Sequence, residues 1–162
     1  MVIHCRVDER LLHGQVAVTW MSQVSPDSIL IANDDVVNNE VSKMALKMVK
    51  PEGTNMAIRS VDDGAAVLND PRAQGLKIFV IVRTVQDLVR LMKQTDQIHS
   101  VNIGGIRKKD GSKLIAASVY LNDDDAAALK QLKELCDDVY FQMVPADSRK
   151  SVDEVLRIYE KQ

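Results

Sequence analysis

Apolar residues recur along this chain with two periods that alternate from one end to the other. Val2 to Val7 sets Ile3, Cys5 and Val7 on one side and Val2, His4 and Arg6 on the other, the two-residue period of a strand. Ala17, Trp20, Met21 and Val24 then fall at i, i+3, i+4 and i+7, the stripe of an amphipathic helix. The alternation continues. Strands are predicted over 28–33, 56–60, 76–82, 100–103, 117–121 and 138–144, and the run from Leu76 to Val82 is apolar enough for a strand covered on both sides. Between them, Asn39 to Val49 forms a helix with Val41, Met44, Ala45 and Met48 on one face, ended by Pro51-Glu52-Gly53. Further helices are predicted from Val61 to Leu68, after a Thr84 cap with Leu88, Leu91 and Met92 inward, and from Asp123 to Leu135 through Ala127, Leu129, Leu132 and Leu135. The last runs from Ser151 to Glu160, packing through Val152, Val155, Leu156 and Tyr159. Strand and helix alternating along the chain predict an α/β fold, an open sheet with helices on both faces.

In such sheets ligands bind beyond the carboxyl ends of the strands. Asp8 to Gly14 follows the first strand, Asn33-Asp34-Asp35 the second, Arg83-Thr84 the fourth and Gly104-Gly105 the fifth. The first of these turns places His13 just ahead of a helix whose leading N–H groups have no intrahelical partner. That end attracts anions, Gly14 adds an amide no side chain obscures, and Arg10 brings a planar cation to the same place. On residue chemistry alone two readings stand: His13 as a phosphoryl-accepting nucleophile, or His13 as a hydrogen-bonded loop residue in a non-catalytic module that binds a phosphorylated metabolite.

Residues 6–20, RVDERLLHGQVAVTW, separate the two readings. They resemble the signature of the IIB components of the mannose-type sugar phosphotransferase system, the group that includes mannose, fructose, sorbose and N-acetylgalactosamine members. The likeness continues through Ile31 to Val36, Ile81 to Thr84, Asn102 to Ile106 and Gln142 to Pro145, so it covers nearly the whole chain as one domain, residues 1–162. The resemblance implies a mainly parallel, seven-stranded sheet with the first strand near its middle. It also implies that His13 takes a phosphoryl group on Nδ1 from a IIA phosphohistidine. The group then passes to a sugar held by the membrane components IIC and IID, so the chain is expected to be a phosphohistidine–sugar phosphotransferase. No cofactor is expected, because the group arrives already activated as a phosphoramidate. The segments around Asn33 to Val37 and Val82 to Thr84 lean toward N-acetylgalactosamine-type members.

The 162 residues are 46% hydrophobic and 27% charged with a net charge of −2, ordinary for a globular domain and without the basic footprint of a nucleic-acid binder. No apolar run approaches the roughly 20 residues of a membrane span, and Met1 to Arg6 lacks the pattern of a secretory signal. A cytoplasmic protein, held at the inner membrane face only through IIC and IID, is the expectation. Cys5 and Cys136 read as reduced, buried thiols, and His4, His13 and His99 do not stand at metal-ligating spacings.

Each residue near His13 has a plain alternative. Arg10 either meets phosphoryl oxygens or forms a salt bridge with Asp8 or Glu9. Asp8 orients Arg10 or ties down the loop, and Glu9 carries no catalytic role. Gln15 orients the loop or fills the first helical turn, while Trp20 belongs to the core. The pair Gly104-Gly105 gives close backbone approach to a phosphate or donor histidine, or only a tight turn. Arg83 lies beside the site. Asp34 and Asp35 serve as loop or cap residues, and Arg107-Lys108-Lys109 as a solvated turn.

Overall fold

A computed structural model describes residues 1–162, and its first strand sits where the resemblance places it. Strand β1 (Val2–Val7) runs between β4 (Ile78–Val82) and β5 (Ser100–Ile103) in a seven-stranded sheet. Outward from β4 lie β2 (Ser28–Ala32) and β3 (Asn55–Arg59). Outward from β5 lie β8 (Asp138–Phe141) and β9 (Lys150–Ser151), giving the order β3-β2-β4-β1-β5-β8-β9. All pairs are parallel except β8 with β9. β4 is buried throughout, as its unbroken apolar run requires.

The seventh strand is not the predicted one. Residues 117–121 contribute only β7 (Val119–Leu121), which pairs with β6 (Lys113–Ala116) as a separate antiparallel hairpin. Ser118 bends the chain there with φ +62°, and the sheet is completed instead by the two-residue β9. The strand predicted to reach residue 144 ends at Phe141, because the backbone beyond it turns to serve other groups.

Right-handed crossovers decide which face each helix covers. From β1 the chain steps to β2 and then β3 in one direction. It therefore lays a helical segment running from Gly14 to Val24, which includes α1 (Met21–Val24), and α2 (Glu40–Val49) on the same face. The later steps run the other way and place α3 (Val61–Asn69), α4 (Val85–Met92) and α5 (Asp123–Leu135) on the opposite face, with α6 (Val152–Glu160) beside α5. That second face carries the larger core, from Leu30, Val80 and Cys5 of the sheet to Leu88, Leu129 and Val155 of the helices. The first packs Leu11, Val16, Trp20 and Leu46 on Ile29, Ile31, Phe79 and Ile81. No helix is long and apolar enough to cross a membrane.

Two helices turn differently from their patterns. α5 buries Asp125, Ala126, Ala128, Leu129 and Leu132, whereas Ala127 and Leu135 are exposed; Asp125 closes a capping box with Asn122. α2 buries only Leu46, and Val41, Met44 and Met48 are 78%, 64% and 83% exposed. Its apolar stripe faces outward.

Candidate functional site

β1 and β5 are neighbours whose chains leave in opposite directions, and the opening between them is where an α/β sheet binds ligands. A cleft of about 340 Å³ lies there, lined by Asp8 to Arg10 from the end of β1 and by Gly105 to Lys108 from the end of β5, with Gln15, Tyr120 and Met143 around it.

The turn after β1 is fixed by its own backbone. Asp8 N–H donates to the Val82 carbonyl, Glu9 N–H to the Gly105 carbonyl and Leu11 N–H to the Asp8 carbonyl. Leu11 has φ +58°, a left-handed conformation that costs a residue with a Cβ roughly 1–2 kcal/mol. Its side chain and that of Leu12 are buried in the core beneath, which holds the strain in place. His13 follows as the residue whose carbonyl accepts the first helical bond, from Ala17 N–H at 2.9 Å. The amides of Gly14, Gln15 and Val16 are then the free ones. The helix widens into a π turn over Val16–Trp20, where Met21 N–H reaches back to the Val16 carbonyl and the Thr19 hydroxyl donates to that of Gln15.

Asp8, 3% exposed, holds three groups. Oδ1 accepts from the Arg10 backbone N–H at 3.0 Å, and Oδ2 accepts from Arg6 Nε at 3.1 Å and lies 3.0 Å from His13 Nε2. Burial alone would raise this carboxyl; the hydrogen bond from His13 and the Arg6 charge outweigh it and hold the group below its usual range. An ionised Asp8 can only accept, so Nε2 carries the ring proton. Nδ1, which holds the lone pair when the ring is neutral, has no hydrogen-bond partner. The nitrogen is covered from solvent and the side chain shows 12% of its surface, so a phosphoryl group reaches Nδ1 only once the ring or its cover shifts.

Arg6 is the residue the sequence reading missed. It is 1% exposed and donates to Asp8, to Asn102 Oδ1 at 2.5 Å, and to the carbonyls of Gln142 at 3.0 Å and Met143 at 3.1 Å, with Trp20 5.3 Å away across its face. Register prepares this contact: Arg6, Asn102 and Tyr140 stand side by side across β1, β5 and β8. Burial lowers the hold of Arg6 on its proton and Asp8 restores part of it. Gly104 gives Arg6 its room. A Cβ at position 104 would stand 2.3 Å from the Arg6 guanidinium, which is pinned and cannot retreat. Gly105 has no such constraint but lines the cleft.

Arg10 reaches the cleft with its side chain exposed and in no salt bridge, so the pairing with Asp8 or Glu9 does not form; Asp8 takes its backbone instead. Glu9 pairs with Arg107, accepting from its N–H and lying 3.5 Å from its Nε, and so ties the β5 loop to the β1 turn. Arg107 and Lys108 are therefore cleft residues and not merely a solvated turn, while Lys109 pairs with Asp125 at 2.6 Å. Gln15 is exposed at the rim. Arg83 stands at the end of β4 outside the cleft. Thr84 caps α4, and Asp34 accepts from Val61 N–H and from Arg90.

Behind the site, His4 stacks on Trp20 at 4.7 Å and meets Phe79 edge-on at 5.0 Å. Burial first, and then the charge of Arg6, push its pKa down from 6.5 to about 4. Between these values the unfolded chain binds a proton that the folded one refuses, so stability is full above about pH 6.5 and falls as pH drops toward 4. The loss should reach about 3 kcal/mol. Denaturant titrations at pH 7 and 4.5 should show the fall in the wild type and not in His4→Phe; an equal fall in both would assign it elsewhere.

Comparison with known proteins finds relatives along the whole chain. The family model described as PTS system sorbose subfamily IIB component matches residues 2–162. A probable phosphotransferase enzyme IIB component of Streptococcus pyogenes is 38% identical, covering 92% of this chain and 95% of that protein. The N-acetylgalactosamine-specific IIB component 1 of Escherichia coli is 32% identical over 93% of this chain and 96% of its own. The crystal structure of the IIB domain of the sorbose permease from Klebsiella pneumoniae superposes with a TM-score of 0.91 at 28% identity, covering 100% of this chain and 98% of that one.

Proposed function

We propose, from the premise that this chain belongs to the sorbose subfamily of phosphotransferase-system IIB components and so is a phosphocarrier in sugar transport, that His13 is the residue that carries the phosphoryl group. The observation behind the proposal is the contact of Nε2 with Asp8 Oδ2 at 3.0 Å while Nδ1 has no partner: in the neutral ring Asp8 accepts from Nε2–H and the lone pair stands on Nδ1. In the first step Nδ1 attacks phosphorus in line as the P–N bond of a IIA phosphohistidine breaks. The ring, keeping its Nε2 proton, becomes cationic, and the Asp8 carboxylate beside it stabilises that charge as the aspartate of a catalytic triad does. Arg10 and the amides of Gly14 and Gln15 receive the phosphoryl oxygens. In the second step a sugar hydroxyl on the IIC/IID side attacks and gives up its proton to a base there or to solvent, the P–N bond to His13 breaks and the imidazole returns neutral.

The direct test is incubation with a phosphorylated IIA protein, followed by mapping of an acid-labile, base-stable phosphate. Label on residue 13 supports the proposal, and label on another residue or on none would overturn it. Sugar turnover should require the membrane components. Relatives named for sorbose and for N-acetylgalactosamine align along nearly the whole chain alike, so overall similarity does not choose the sugar.

Arg10 should matter kinetically and not structurally, since its side chain is exposed and bonded to nothing. Arg10→Ala is expected to slow transfer by roughly 10- to 1000-fold, as for loss of one transition-state donor. Arg10→Lys, which keeps the charge without the fork, should fall between it and wild type. Rapid-quench rates equal to wild type in both variants would leave Arg10 without a role in transfer.

A further inference from the structure

Arg6 and His13 meet on the same atom. Oδ2 of Asp8 lies 3.1 Å from Arg6 Nε and Nη2 and 3.0 Å from His13 Nε2, while Oδ1 is taken by the Arg10 backbone N–H. A carboxylate that close to an imidazole favours the protonated ring, in which both nitrogens carry protons and no lone pair is left to attack phosphorus. A cation on the same oxygen works the other way, since a like charge within about 4–6 Å disfavours protonation. Asp8 is the only anion Arg6 touches; the Asn102 side chain and the Gln142 and Met143 carbonyls, its other partners, are uncharged. Stability alone does not explain this arginine, because a buried ion pair is often no better than apolar side chains of the same size.

We propose that Arg6 is a positioning residue for His13: through the shared Asp8 oxygen it offsets the pull of the carboxylate, so that the ring rests neutral with its lone pair on Nδ1. The use made of that lone pair rests on the carrier reading above; the charge on the ring does not. Arg6 stands further from the ring than Asp8 does, so it cancels only part of the pull, and the rest steadies the cationic ring of the transfer step. The other ionisable groups around the pair leave this balance to Arg6. On β1, His4 is neutral, its pKa pushed down to about 4 by burial and by Arg6. On β8, burial raises the Tyr140 phenol and keeps it uncharged, with Arg149 stacked over it at 3.9 Å. Glu9 is paired with Arg107 of the β5 loop, and the side chains of Arg10 and Lys108 are exposed, where solvent and salt screen them.

Nitrogen NMR of the histidine rings in the full chain, with His13 assigned by its loss in His13→Ala, reads tautomer and charge directly. At neutral pH the wild-type ring should carry a proton on Nε2 and none on Nδ1. Arg6→Met should raise the midpoint of its titration by about one pH unit or more, and Arg6→Lys, which keeps a charge, by less. Because Arg6→Met strands a buried carboxylate, the same exchange is also made in Asp8→Asn, where no charge is stranded. There the ring faces Arg6 without the carboxylate, and Arg6→Met should again raise the midpoint by about one unit. With a phosphorylated IIA protein as donor, the acid limb of the transfer rate should move with the midpoint in each folded variant. Three results would overturn the inference: a wild-type ring already protonated at neutral pH, a midpoint unmoved by Arg6→Met in either background, or an acid limb that stays in place while the midpoint moves. A ring that titrates as expected in a chain that takes no label would remove the carrier reading and leave the charge balance standing.

Discussion

His13→Ala should fold normally and accept no phosphoryl group from a phosphorylated IIA protein, while His4→Phe and His99→Ala remain competent. The three histidines differ in what surrounds them. His99 is exposed ahead of β5, and His4 is packed between Trp20 and Phe79 and kept neutral by burial and by Arg6. Only His13 has one nitrogen held by a buried carboxylate, the other free, and three amides of a helix start beside it. Loss of the nucleophile removes the acceptor itself, so the expected change is from full labelling to none. Asp8→Asn should be intermediate. An amide at position 8 no longer stabilises a cationic ring or fixes its tautomer, and comparable changes cost up to about 10⁴-fold. Retained label on the His13→Ala chain would remove His13 from the pathway, whatever the other variants do.

The second large effect falls on stability. Arg6→Leu should cost about 3–5 kcal/mol in denaturant unfolding, because it leaves the Asp8 carboxylate buried without its cation. It also strands the Asn102 side chain and the carbonyls of Gln142 and Met143, which Arg6 satisfies. Adding Asp8→Asn to the Arg6→Leu chain should recover part of the loss, since the unpaired charge is then gone. Two independent losses that simply add would show that Arg6 and Asp8 are not coupled.

How much of this was legible in the sequence depended on how long each signal ran. β4 announced itself by an unbroken apolar run, and α4 and α6 by long periodic stripes with good caps. β9 could not be read: it has two residues, Lys150 and Ser151, and exists only because the chain returns along β8. The hairpin of β6 and β7 looked like a sheet strand because Val119 to Leu121 has the right pattern and nothing local says which partner it will find. His13, Arg10 and the polar turn were visible as chemistry within a few residues. Arg6 was not, since a charged residue on the second side of a strand normally faces water. Its partners lie about 100 to 140 residues away, in Asn102, Gln142 and Met143. One signal was available. Gly104, at the end of a strand with φ that needs no glycine, is explained only by a large neighbour over it. Arg107 and Lys108 were read as a solvated turn for a similar reason: the Glu9 contact that brings their loop to the cleft spans nearly 100 residues.

Leu11 has a bearing on time as well as on shape. A carrier that receives and gives away one group spends its working life in short meetings, and any loop that must arrange itself first wastes part of each. Freezing a flexible turn during an encounter costs conformational freedom every time. Here that expense was met once, during folding, when a leucine was driven into a left-handed backbone by the burial of its own side chain. Between partners the backbone of the turn stands ready, like a latch left set, and only side chains need move to bare the ring.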